Sequence, residues 1–335
     1  MTATGVGSYP GEDDRDYAET VRIVLGELAP PDGLPHLPEL PGRGAGATMT
    51  GRALALVALS ADLQPAGWRL TGSSATSGVD HRRARSQHAQ DLDQVEDQGQ
   101  DLVGAFKVQV AGPWTLAATV EKPRGDKILS DHGARRELAE ALAEGVAEHV
   151  ADVRRRLPGV ERLVVQLDEP ALASVLRAEV PTASGFGRHR SVDLPEASGS
   201  LGLVLGAVSA AGAEPWVHTC AARTPLDLLR GAGARGLAVD EAQLLPGDLD
   251  EIAVALEAGE WVALGVVPSL DPGTPPEAAR VTGRVLGLLE MLGLDPGVVG
   301  GQVVLTPACG LAGASPAWVR QALEICRTAA RDLVR

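Results

Sequence analysis

Residues 215–240 read PWVHTCAARTPLDLLRGAGARGLAVD. A β-rich run at Pro215–Thr219 is followed by a short helical stretch and a second β-rich run at Gly236–Val239. Strand, helix and strand in that order pair in parallel through a right-handed crossover. The same alternation recurs along the chain. Further runs stand at Val6–Tyr9, Leu34–Glu39, Phe106–Ala111, Leu163–Leu167, Val262–Val267 and Val303–Thr306. Eight such units favour an α/β architecture closed into a (β/α)8 TIM barrel over an open doubly wound sheet, the second choice. The run at Leu34–Glu39 is the weakest, because LPHLPELP (34–41) holds three prolines that cannot donate to a ladder.

Among the intervening segments, 134–157 carries the clearest helical pattern, with apolar positions recurring at three and four. Two stretches break the repeat: 72–101 is polar and charged, and 181–200 has loop composition. Both are expected to be excursions near the mouth of the barrel. No composition shift marks a boundary, so residues 1–335 are taken as one domain.

The formal charge of −14 with scattered basic residues argues against nucleic acid and anionic membranes as partners. No apolar stretch is long enough to span a bilayer, and no leader precedes the first strand, so a soluble, cytoplasmic protein is expected. Three cysteines make no disulfide framework and are expected as free thiols.

Catalytic groups of a barrel gather at the C-terminal ends of its strands. His218 and Cys220 end the run at 215–219, and side chains two apart on an extended segment point to one side. Cys309 follows the last strand in LTPACG (305–310). Imidazole and two thiolates suit zinc, whose tetrahedral shell asks for a fourth ligand at another strand end. Asp240 is the candidate, with adjacent Glu241 as the alternative. Buried free cysteines are more often small core residues than ligands, and Cys326, within the final helical pattern, is read as core. Asp168 and Glu169 end the fourth run, and one of them should face the mouth, although capping a helix before Pro170 is an equally good use for either. Trp114 is either a stacking surface or a lid on the core. The glycines at 5, 7 and 11 do not match a phosphate loop but allow close approach of a ligand.

In combination, GVGSYP (5–10), AGPWT (111–115), QLDEPAL (166–172), HTC (218–220) and PACGL (307–311) resemble, in order and over nearly the whole chain, the catalytic C-terminal barrel of cobalamin-independent methionine synthases. The resemblance implies Zn2+ on His218, Cys220 and Cys309, with Asp240 standing where the family has a glutamate. It implies homocysteine as the thiol substrate, held by Gly7, Ser8, Glu39 and Asp168, with methionine as product. There are departures from the family. Pro268 and Ser269 stand where a proton-donating histidine is expected, Ser174 stands near a folate-binding glutamate, and the amino-terminal barrel of the long forms is absent. The methyl donor is therefore either methyltetrahydrofolate or a methyl-corrinoid protein. Rival readings are a zinc enzyme methylating another thiol and a non-catalytic zinc or amino-acid binding relative.

Overall fold

The computed structural model describes residues 2–72 and 78–333. Its nine strands are β1 (Thr2–Ala3), β2 (Ala61–Gln64), β3 (Gly67–Leu70), β4 (Gly104–Ala111), β5 (Val160–Asp168), β6 (Glu214–Thr219), β7 (Gly236–Asp240), β8 (Trp261–Val267) and β9 (Val303–Pro307). Seven of them form one parallel sheet in the order β1-β9-β8-β7-β6-β5-β4. Strands β2 and β3 form a separate antiparallel hairpin. Six of the eight expected runs lie within strands of the main sheet.

The other two differ from expectation. The first sheet strand is Thr2–Ala3 rather than Val6–Tyr9. The run at 34–39 is not a regular strand. It lies between the two edges of the sheet and makes only isolated parallel bridges, Ala3 to Gly33, Ser8 to Glu39 and His36 to Lys107. Leu34 N donates to Ala3 O at 2.8 Å, and Leu37 N donates to Lys107 O at 2.9 Å. Pro35, Pro38 and Pro41 interrupt any longer ladder because they lack an N–H.

Along the inner face, polarity rises toward the C-terminal strand ends. Val164, Trp216, Ala238, Ala263 and Val304, one from each of β5 to β9, pack with Leu34 into an interior cluster. Gly236 leaves room for the Trp216 ring, which a Cβ there would strike. Two residues further along β5 and β6 the same face carries Gln166 and His218, and β5 ends in Asp168. The larger aliphatic core lies between the sheet and its surrounding helices.

The expected helix at 134–157 is observed as His132–Arg156. Asp131 caps it by accepting from Ala134 N, and Arg154, Arg155 and Arg156 face its carbonyl end. The stretch 72–101 is a correction: Val79–Gln98 is a 20-residue helix, while 73–77 lie outside the described residues. Its buried positions 81, 84, 88, 91, 92 and 95 have helical spacing. Three of them are His81, His88 and Asp91, so no apolar stripe marks the helix in the sequence. Within 181–200, residues 194 onward belong to the helix Leu194–Ala210, capped by Asp193. Among the described residues no helix is long and apolar enough to cross a membrane.

Candidate metal and ligand site

Strand β6 delivers His218 facing inward, and the chain leaves the strand at Cys220. Cys309 follows β9, where Ala308 N is held by Val267 O at 2.8 Å and Leu311 N by Ser8 O at 2.7 Å. The ligand atoms of His218, Cys220 and Cys309 all lie within 4.8 Å of one another. The three residues line a cavity of about 270 Å³ together with Asp168, Glu39 and Ser8, and Gly7 is part of the same wall. A Cβ at position 310 would collide with Ser8 Oγ, so glycine there lets the Cys309 turn close on the first segment.

His218 Nδ1 contacts Ala238 O at 3.1 Å. With the carbonyl as acceptor, Nδ1 carries the proton and Nε2 offers its lone pair, the usual arrangement of a metal-binding imidazole. The thiols of Cys220 and Cys309 lie Sγ to Sγ at 3.0 Å. Sharing that hydrogen bond pushes Cys309 down to about 4, with His218 adding to the effect, and pushes Cys220 up. Burial opposes charge on His218, but the contact with Cys309 and the nearby Asp168 carboxylate outweigh it and raise its pKa. An imidazole and two cysteine sulfurs gathered within 4.8 Å of one another are a soft, preassembled donor set of a kind that fits zinc.

The carboxylates sit opposite. Gln166 Nε2 donates to Asp168 Oδ1 at 2.7 Å and to Val6 O at 3.1 Å. Burial pushes the Asp168 carboxyl up to about 7, offset in part by His218 and Lys107. Lys107 is fully buried and donates through Nζ to Val6 O at 2.8 Å and Gln166 Oε1 at 3.0 Å. Burial pulls it down to about 8. Glu39 reaches the cavity because the 33–39 segment bridges to Ser8, and Gln109 Nε2 donates to its Oε1 at 3.1 Å. Burial raises its pKa, and Arg52 opposes the rise. Gly7 is pressed against Gln109, whose side chain would meet a Cβ there.

Several expected residues are placed elsewhere. Asp240 is not in the cluster. Its Oδ1 accepts from Ala242 N at 3.0 Å and caps the short turn Glu241–Gln243, while Glu241 pairs with Arg284 at 3.5 Å. A local cap competes with ligation for a short carboxylate that follows a strand. Among the described residues the cluster therefore has three protein ligands. Glu169 faces away from the cavity and accepts from Trp114 N at 2.9 Å, Thr115 N at 2.7 Å and Thr115 Oγ1 at 2.7 Å. It holds the start of the helix Pro113–Thr119, a capping role for a different helix from the one after Pro170. Trp114 is buried and donates from Nε1 to Ala197 O at 3.0 Å, so it belongs to the core, as does Cys326. Sequence reasoning missed Lys107, Gln109, Gln166 and Arg52. The alternation in FKVQVA (106–111) places Lys107 and Gln109 on one face of a strand otherwise apolar, a signal that they serve the interior.

No protein-family model matches the chain, and no curated protein matches it. Solved structures do. A B12-independent methionine synthase from Shewanella sp. W3-18-1, in complex with selenomethionine, superposes with a TM-score of 0.64 at 13% identity, over 99% of this chain and 97% of that one. A D-psicose 3-epimerase with D-fructose gives 0.41 at 11% identity, over 74% and 84% of the two chains. A Cellulomonas fimi endo-β-1,4-mannanase gives 0.42 at 18% identity, over 78% and 60%. The first of these similarities is one of fold, and it shows that the chain has the α/β architecture of a TIM-barrel protein over its full described length.

Proposed function

We propose that this protein is a zinc-dependent S-methyltransferase that converts homocysteine to methionine on a closed (β/α)8 barrel. The single observation that carries the reading is the meeting of His218, Cys220 and Cys309 with Asp168 and Glu39 around one cavity. The full-length fold similarity to a methionine synthase supports it.

Zinc held by His218, Cys220 and Cys309 would supply Lewis acidity that favours a thiolate at neutral pH, where a free thiol of pKa about 8.5 is mostly protonated. The chain's own residues do the rest. Asp168 and Glu39 converge on the cavity wall as acceptors for the α-ammonium group, and Ser8 and the backbone at Gly7 lie beside them for the carboxylate. Fixing both ends of the amino acid points its sulfur toward the cysteine end of the cavity and saves the entropy of orientation. The sulfur electron pair forms the new S–CH3 bond, the thiol proton departs to solvent, and the donor keeps the pair of the broken bond. With a folate donor the leaving nitrogen needs a proton in addition. Pro268 follows β8 and its carbonyl accepts from Trp318 Nε1 at 3.0 Å, and Ser269 comes next, so no imidazole stands there. This favours an activated donor such as a methyl-corrinoid protein over methyltetrahydrofolate.

The test is a methyl-transfer assay with zinc-loaded protein, homocysteine and each donor in turn. Methionine is expected with the methyl-corrinoid donor and much less with methyltetrahydrofolate. Absence of methionine with every donor would refute the synthase reading. Zinc and homocysteine binding without turnover would support a binding relative in its place.

A further inference from the structure

Behind Glu39 lies a buried chain of charges that none of the roles above uses. Arg52 sits on the helix Met49–Leu56, whose N-cap Thr48 and first residue Met49 line the cavity, and is itself 3% exposed. Its Nη1 donates to Asp91 Oδ2 at 2.6 Å, and its Nε stands 3.4 Å from Glu39 Oε1, an ionic contact. Asp91, 1% exposed, also receives Arg43 Nη2 on both oxygens at 2.7 Å. Arg43 is fixed in turn by the Tyr17 ring, 4.3 Å away.

Two guanidiniums share the Asp91 carboxylate; Arg43 has a second partner in exposed Asp14, 3.3 Å from its Nη1, whereas the second carboxylate beside Arg52 is Glu39. Both polar contacts to Glu39, from Gln109 and from Arg52, fall on Oε1. Oε2 has no hydrogen bond among the described residues, while Glu39 lines the cavity. A buried carboxyl without a cation close by takes up a proton and loses its attraction for an ammonium group.

We propose that Arg52, anchored by Asp91, is a positioning residue that keeps Glu39 ionised, with one oxygen held and the other free to receive the ammonium group of an amino-acid substrate. This rests on the amino-acid thiol reading above. Its sequence position gives no hint of the role, because the partners are 13 and 39 residues away and Asp91 lies in the polar helix Val79–Gln98.

The experiment compares two ligands by calorimetry on zinc-loaded protein: homocysteine, and 4-mercaptobutanoate, which keeps the thiol and carboxylate but lacks the amine. Wild type is expected to prefer homocysteine. Arg52→Met should weaken homocysteine by about tenfold or more and leave 4-mercaptobutanoate within about twofold, and Arg52→Lys should fall between. Equal loss for both ligands would reduce Arg52 to a packing role and overturn the proposal, as would retained selectivity. If Arg52→Met does not fold, unchanged selectivity in Arg52→Lys overturns it equally. A wild type that ignores the amine would overturn both this proposal and the amino-acid reading. A selective wild type beside an equally selective Arg52→Met would overturn this proposal alone.

Discussion

Cys220→Ser and Cys309→Ser proteins, purified under zinc-replete conditions and passed over a competing chelator, are expected to retain less than about a tenth of the metal of the parent, which should hold close to one zinc per chain. The described residues bring three protein ligands together, and two of them are these thiols. Zinc sites bind with about 10–16 kcal/mol distributed over four ligands, so each thiolate accounts for on the order of 3 kcal/mol, or about a hundredfold in affinity. A serine hydroxyl stays protonated and cannot replace the lost charge. Cys326→Ala is the control: its thiol is wholly buried in the helix Pro316–Asp332, so removing it should lower stability and leave the zinc in place. Full retention of metal in both serine variants, measured by elemental analysis, would show that the two cysteines are only packed neighbours.

Acidification is expected to cost stability at a buried histidine pair. His88 and His149, from the two long helices Val79–Gln98 and His132–Arg156, lie with ring centroids 5.0 Å apart, and all four ring nitrogens are buried without a hydrogen-bond partner. Burial first, then the positive charge of Arg52, holds His88 well below the usual imidazole range and His149 down to about 4. Arg156 adds to both shifts, and Asp152 opposes that of His149. The unfolded chain therefore binds more protons than the native protein between about pH 6.5 and pH 4. Stability is fully present above pH 6.5 and falls as pH drops through that window, by up to about 1.4 kcal/mol per pH unit for each ring. Asp168 and Glu169, held up to about 7 chiefly by burial, act in the opposite sense. The readout is thus the difference between parent and a His88→Phe/His149→Phe variant in urea midpoints at pH 7 and pH 5. The variant should lose much less stability on acidification. Equal losses would contradict the assignment.

The regular parts of the molecule could be read from the sequence because burial writes them in apolar residues. Strands β4 to β9 are buried on both faces over most of their length, as parallel strands are, and β5, β8 and β9 are rich in Val and Leu. The His-x-Cys spacing placed His218 and Cys220 on one side of an extended segment, and Cys309 joins them across the curled sheet, in which β8 and β7 stand between β9 and β6. The helix Val79–Gln98 was hidden because it docks through His81, His88 and Asp91: His81 is met by Leu54 O and Asp91 by Arg43 and Arg52, partners far away in the chain, while the His88 ring nitrogens stay without one. Lys107 and Arg52 were hidden for the same reason: a charge is legible as buried only when its counter-ion is known. Asp240 shows the converse. Its strand-end position fitted a ligand, but the next turn offered its carboxylate a nearer donor, Ala242 N.

The most direct test is calorimetric titration of homocysteine into zinc-loaded and zinc-stripped protein near pH 7, in buffers of different ionisation enthalpy, to count the protons released. Release of about one proton per bound homocysteine by the loaded protein, with weak binding and no release by the stripped protein, is the expected result, since the thiol ionises only when the metal is present. Identical binding and no proton release in both forms would contradict a thiol-activating site at His218, Cys220 and Cys309.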